Sequence, residues 1–275
     1  MQADPPAKVG ALLIHGLGGT QYDLGTMHKI LQRCGVQTHA ITLPGHGTQP
    51  QDLLGVTAED WLDAVSRAYR ELRPQYDTLH LMGMCMGALL AVETAKRERH
   101  AQGKLVVLAA PVFIDGWSTP WYRWMRHAIY KLGPMAARMR VVEECPFGIK
   151  NELVRRIVKT KFQRGDPFHY QWIPLACVRQ VDRLRAFVKA DLEQITCPTL
   201  IVHAREDELT SLASAEFLQR AMTAARPEVV VLENSYHMIC VDNDRDQVAA
   251  SVARHFELDT RAIARKRRDG SIRLA

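Results

Sequence analysis

The chain has 275 residues, 47% of them hydrophobic, and a formal net charge of +6. That length buries one substantial core with room for an inserted subdomain, and argues against a tandem of two full domains. The opening segment Met1–Lys8 has no charged region leading into an apolar stretch, and no later run reaches the length of a membrane span. The pattern therefore predicts a soluble, cytoplasmic protein without stable membrane insertion. The six cysteines, Cys34, Cys85, Cys145, Cys177, Cys197 and Cys240, form no C-x-x-C pair, which suggests neither a zinc site nor a disulfide framework. The basic character sits in two places. Val112–Leu175 carries more than twice as many Lys and Arg as Asp and Glu, and Thr260–Ala275 sets six basic residues against Asp269. With no base-reading motif beside it, that tail reads as a flexible, solvated end rather than a nucleic-acid arm.

Val9–Ile14 is an apolar run of strand length. Leu24, Met27, Leu31 and Cys34 then recur at helical spacing until Gly35 stops them, and Val36–Thr42 reads as a second strand. Leu43-Pro44-Gly45-His46-Gly47 is turn chemistry. Thr57 with Asp60 three residues on forms a capping box for a helix with Trp61, Val65, Ala68 and Leu72 on one face, ending at Pro74. Asp77–Met82 is a strand, Cys85 to about His100 a helix, and Lys104–Ala110 another strand. From Pro111 to about Ile195 the alternation gives way to helical patterns with isolated aromatics. It resumes with a strand at Thr199–Ala204, a helix at Ser211–Met222, a strand at Val229–Leu232 and a last helix marked by Val248, Val252 and Phe256. This rhythm predicts a doubly wound, mostly parallel α/β sheet from residues 1–110 and 196–259, interrupted by a helical cap over 111–195.

Open α/β sheets carry their chemistry at the carboxyl ends of the strands. After Ile14 comes His15-Gly16-Leu17-Gly18-Gly19, a loop able to aim the Leu17 N–H at a developing oxyanion. After Met82 comes Gly83-Met84-Cys85-Met86-Gly87, a strand-to-helix turn that would hold a nucleophile clear of its neighbours, with the Met86 N–H as second donor. Arg205-Glu206-Asp207-Glu208 and Glu233-Asn234-Ser235-Tyr236-His237 follow the last two strands. The order is nucleophile, acid, histidine, with Asp115 an alternative acid and Glu206 and Glu208 as rival neighbours of Asp207. His15 and His46, each in a glycine turn, read as backbone supports.

The segments Leu12-Leu-Ile-His-Gly-Leu-Gly-Gly, Leu43-Pro-Gly-His-Gly, Gly83-Met-Cys-Met-Gly, His203-Ala-Arg-Glu-Asp-Glu and Ser235-Tyr-His-Met-Ile resemble, in order and spacing, those of α/β-hydrolases. The likeness is to bacterial carboxylesterases and their monoacylglycerol-lipase relatives, from about Lys8 to Leu258 and weakly through the insertion. It implies a nucleophile at Cys85, an acid at Asp207, a base at His237, an oxyanion hole from Leu17 and Met86, and no metal or diffusible cofactor. The chain departs from the pattern at Cys85, where these relatives carry serine, and at Tyr236, where glycine is usual. Cysteine at the elbow is also similar to dienelactone hydrolases and polyhydroxyalkanoate synthases, at the elbow alone.

The chemistry so implied is hydrolysis of a carboxylic ester, lactone or thioester through an acyl-cysteine. The alternatives are transfer of the acyl group to an alcohol, or ligand binding without turnover. Four tryptophans, Trp117, Trp121, Trp124 and Trp172, lie in the insertion with Tyr122, Phe147, Phe162, Phe168 and Tyr170, either lining a pocket or forming the cap's own core. Its basic balance suggests a positive mouth for anionic acyl substrates.

Overall fold

The computed structural model describes residues 7–119, 124–131 and 133–259. Trp121, Tyr122 and the basic tail 260–275 lie outside them. In chain order the elements are β1 (Val9–Ile14), α1 (Met27–Arg33), β2 (Gln37–Ile41), α2 (Ala58–Leu72), β3 (Thr78–Met84), α3 (Met86–Arg97) and β4 (Leu105–Leu108). Then follow α4 (Arg126–Ile129), α5 (Gly133–Arg138), β5 (Arg140–Val142), α6 (Glu152–Arg164), β6 (Trp172–Pro174) and α7 (Leu175–Val188). The chain closes with β7 (Thr199–Ala204), α8 (Ala213–Ala221), β8 (Glu228–Leu232) and α9 (Arg245–His255).

Six strands pair in the order β2-β1-β3-β4-β7-β8, and every ladder between them is parallel. Parallel strands need a crossover over one face or the other, so side chains alternate between two apolar layers. Leu12, Ile14, Leu79, Leu81, Val107 and Ile201 face a layer built with α2, α3, α7 and α8. Ala11, Leu13, Met82, Val106, Leu200 and Val202 face α1 and α9 on the other side. This is the α/β-hydrolase fold. Among the described residues no helix is long and apolar enough to cross a membrane.

Thr57 and Asp60 do form the capping box: the Asp60 N–H reaches Thr57 Oγ1 at 3.1 Å, and the Thr57 N–H reaches Asp60 Oδ2 at 2.8 Å. The buried stripe of α2 runs Trp61, Leu62, Val65, Ser66 and Tyr69, turned from the predicted Ala68 and Leu72 toward Tyr69, whose hydroxyl meets His100 Nδ1 at 2.9 Å. The insertion contains a two-stranded antiparallel sheet, β5-β6, that periodicity did not show. Each strand has three residues and β5 is exposed throughout, so no inside-outside alternation marks it. At the other end of the insertion, α7 buries Cys177, Val181, Leu184 and Val188 in the same layer as α3. That helix covers the sheet as well as closing the insertion.

The predicted strand at Asp77–Met82 runs on to Met84 and passes directly into α3, with eleven of that helix's twelve residues buried. Two glycines make the junction possible. A Cβ on Gly83 would lie 2.0 Å from Gly87 O, and one on Gly87 would lie 2.2 Å from Ile14 O. The start of α3 thus touches the backbone at the end of β1. Gly87→Ala must push α3 off β1 and is expected to cost about 1–3 kcal/mol, as overpacking does; a lower urea midpoint at unchanged m would show it.

Candidate active site

Cys85 stands between β3 and α3 with φ 54° and ψ −124°, a conformation that L-residues adopt at a cost of about 1–3 kcal/mol. Burial of Met86, Leu89 and Leu90 immediately after it stabilises the turn by roughly 1.5–3 kcal/mol for each side chain, which exceeds the strain. The Cys85 N–H donates to Leu108 O at 3.0 Å, tying the turn to β4. Its side chain is half-buried and faces the glycine loop after β1: a Cβ on Gly16 would sit 3.0 Å from Cys85 Cβ and 3.6 Å from Sγ.

His237 is buried behind β8, and its Nδ1–H donates to Asp207 Oδ2 at 2.8 Å. Burial opposes charge on the ring, but the Asp207 carboxylate and the neighbouring Cys85 outweigh it and hold the imidazole well above its usual value. Nε2 is buried and has no hydrogen bond of ordinary geometry, yet Cys85 is close enough to raise the ring's proton affinity. Burial likewise pushes the Asp207 carboxyl up, and the His237 ring, with the Thr210 N–H, brings it below the ordinary carboxylate range. The other Asp207 oxygen, Oδ1, accepts the N–H groups of Leu209 at 2.9 Å and Thr210 at 3.0 Å. Both oxygens are therefore committed, which fixes the carboxylate plane and with it the imidazole tautomer.

The alternative acids are engaged elsewhere. Asp115 accepts the Ser211 N–H and hydroxyl, each at 2.8 Å, and Glu206 pairs with Lys150 at 2.5 Å. Cys85, Asp207 and His237 come together; Asp115 does not join them.

In the loop after β1 the N–H groups of Gly16, Gly18 and Gly19 are engaged by Asp23 Oδ2, His46 Nε2 and Gly16 O respectively, which leaves that of Leu17. Met86 opens α3, so its N–H is one of those that helix geometry leaves without an intrahelical partner. His15 and His46 act as neutral cross-links. His15 donates from Nδ1 to Gly16 O and accepts the Leu43 N–H at Nε2, while His46 donates from Nδ1 to Pro44 O and accepts the Gly18 N–H. Burial lowers both, His46 to about 4. Each imidazole thus keeps the lone pair that its acceptor role needs.

The insertion clasps these loops. The Tyr170 N–H donates to Gly18 O at 2.7 Å, its hydroxyl donates to Gly45 O at 2.9 Å, and its ring stacks on His46. His169 lies 3.4 Å from Asp23 and 3.8 Å from Glu143; burial opposes its charge, but these two carboxylates push it up to about 10. The aromatic residues divide by role. Phe147 meets Phe162 edge-on and Phe162 lies tilted against Phe168, a half-buried aromatic cluster, while Tyr170 is the clasp and Trp117 and Trp124 are exposed. A cleft of about 240 Å³ opens beside the clasp, lined by Thr20, Thr48, His169 and Trp172 among others.

Sequence reading missed Asp23, His169 and Asp242, because each acts through a contact far along the chain. Asp242 is fully buried and takes four main-chain donors: Lys150 and Tyr236 at Oδ2, and Asn151 and Asn243 at Oδ1, all within 2.7–2.9 Å. It joins the His237 loop to the insertion just before α6. In sequence it is only the aspartate that ends the apolar stretch Met238–Val241. Asp242→Ala strands donors that each cost about 1–3 kcal/mol when buried and unpaired. A loss of about 3 kcal/mol or more in chemical denaturation is expected.

Comparison with known proteins agrees with the fold. Residues 5–244 match the model of the family Hydrolase_4, described as serine aminopeptidase, S33. The chain is 26% identical over 247 residues to the thermostable monoacylglycerol lipase of Bacillus sp. (strain H-257), covering 87% of each protein. It is 23% identical to the carboxylesterase of Bacillus subtilis (strain 168), covering 90% of this chain and 91% of that one. The crystal structure of Paleococcus ferrophilus monoacylglycerol lipase superposes with a TM-score of 0.74 at 17% identity, over 90% of this chain and 95% of the other. With a parallel sheet of the same fold and a family match spanning most of its length, this chain belongs to the Hydrolase_4 family of α/β-hydrolases.

Proposed function

We propose that the protein hydrolyses carboxylic ester or thioester bonds through a covalent acyl-cysteine formed at Cys85. The observation that carries this reading is the Asp207–His237 contact of 2.8 Å with the ring beside a cysteine held at positive φ. The relatives named as a monoacylglycerol lipase and a carboxylesterase support an ester as the substrate bond. The family description names a serine enzyme, and in this reading Cys85 takes the part of that serine.

In this reading residues 111–195 act as a cap over a core made by 1–110 and 196–259. His237 takes the Cys85 proton, and the sulfur attacks the acyl carbon. A C–S bond forms while the carbonyl electron pair moves onto oxygen, where the Leu17 and Met86 N–H groups receive it. The imidazolium passes its proton to the departing alcohol or thiol as the original acyl bond breaks. Water, losing a proton to His237, then attacks the thioester; the C–S bond breaks and the proton returns to sulfur. Asp207 orients the ring and stabilises its cationic form throughout. Because a thiolate leaves more readily than an alkoxide, the first intermediate reverts unless the substrate's own leaving group is good. Thioesters, lactones and activated esters are therefore the favoured class.

Intact-mass analysis with an activated ester should show one acyl group on the wild type and none on Cys85→Ala. An unmodified wild type that still turns over substrate would overturn the covalent step. Asp207→Asn is expected to lower kcat by roughly 10²–10⁴-fold, the range of general acid–base contributions. The ratio of thioester to oxygen-ester turnover should fall in Cys85→Ser.

The proton balance gives a pH test. His237 is raised in the folded state, so its contribution to stability is complete below the unfolded value of about 6.5 and is lost as pH rises through the folded value. In Asp207→Asn the folded value drops and that contribution shrinks, which an NMR titration of the His237 ring would report. For the basic cap, kcat/KM on an anionic ester should fall between 0.01 and 0.15 M salt, where the Debye length shrinks from about 30 to 8 Å, while a neutral ester is unaffected.

A further inference from the structure

We infer that Glu208 is a positioning residue of this site: its buried carboxyl accepts the main-chain N–H of His237 and so fixes where the imidazole stands relative to Cys85. The inference rests on the reading of Cys85 and His237 just given, and adds a residue to it. Glu208 Oε2 lies 3.0 Å from the His237 nitrogen, a bond that spans 29 residues of sequence. Asp207 and Glu208 are adjacent, so two successive carboxyls grip one histidine, the first by its ring and the second by its backbone. The ring contact sets tautomer and tilt, whereas the main-chain contact acts on the position of the His237 backbone itself.

Glu208 is itself held at both ends. Its carbonyl accepts the Ser118 N–H at 3.0 Å and the Ser118 hydroxyl at 2.7 Å. Against its side chain lies Gly148 of the insertion, where a Cβ would stand 3.0 Å from Glu208 Oε1 and 3.4 Å from His237 Cβ. Gly148 O in turn accepts the Met238 N–H at 2.8 Å. The insertion, at Gly148, therefore packs against both Glu208 and the His237 loop. Burial also pushes the Glu208 carboxyl up, against the pull of the His237 ring, so a neutral amide is a fair stand-in for it.

The test is a pair of substitutions of similar size. Glu208→Gln keeps an oxygen for the His237 N–H, whereas Glu208→Leu keeps the bulk and removes the acceptor. With displacements of about 1 Å costing up to 10²-fold in rate, Glu208→Leu should lower kcat by roughly 10–100-fold and Glu208→Gln should restore most of it. KM should stay within about threefold in both, since substrate binding is untouched. Iodoacetamide labelling of Cys85 should slow in the same order, a readout independent of turnover. If Glu208→Leu does not fold, Glu208→Ala takes its place, with melting temperatures of both variants measured alongside. A folded Leu or Ala variant with the parent kcat overturns the inference, and so does an equal loss in Gln and Leu, which would make charge rather than the hydrogen bond the cause. Activity surviving in Cys85→Ala would instead refute the nucleophile reading, whatever Glu208 does.

Discussion

The approach of α3 to the end of β1 is the constraint on which the rest of the site depends. Because Gly87 has no side chain, the first turn of α3 packs on the backbone of Ile14 and His15. That contact sets the start of α3, which carries Met86, against the end of β1, from which the loop holding Leu17 leaves. It also leaves no room for a relaxed backbone at Cys85 itself, so the positive φ there is imposed by its surroundings.

The loops around the elbow have no ladder of their own to satisfy their backbone groups, and a buried unsatisfied donor costs about 1–3 kcal/mol. Side chains supply what secondary structure does not. Neutral His15 and His46 each accept one N–H and donate one, joining the loops after β1 and β2. Carboxylates, which only accept, collect donors in twos and fours at Asp207 and Asp242. The same chemistry separates these histidines: burial lowers His15 and His46, which are bonded to backbone groups, whereas the carboxylates beside His169 and His237 raise them. Only His237 adds a neighbouring thiol.

The insertion is more than a cover over the sheet. Tyr170 holds the glycine loop and the turn after β2, Gly148 and Asp242 hold the His237 loop, and α7 shares the apolar layer of α3. A movement of this segment would reach the oxyanion side and the histidine side together. Its basic residues are partly spent within the segment itself: Arg126 and Arg185 meet Asp182, and Arg140 stacks on Trp172. The positive balance seen in composition is thus larger than the charge left to act on a ligand.

Much was legible in the chain alone. The six sheet strands were readable from short apolar runs, because strands buried on both faces need such runs, and the elbow from two glycines around Cys85, because that turn excludes a Cβ. The carboxylates after β7 could be narrowed by resemblance, whereas only folding separated Asp207, bonded to His237, from Asp115, bonded to Ser211. The small sheet β5-β6 was hidden because exposed three-residue strands leave no period. Asp23, His169, Glu208 and Asp242 were hidden for a different reason: hydrogen bonds have no sequence period, and these join residues up to 146 positions apart. Local pattern therefore determined the strands, the elbow and the residue types of the site. Tertiary packing alone decided which carboxylate meets which donor, since that depends on distances set by the whole fold.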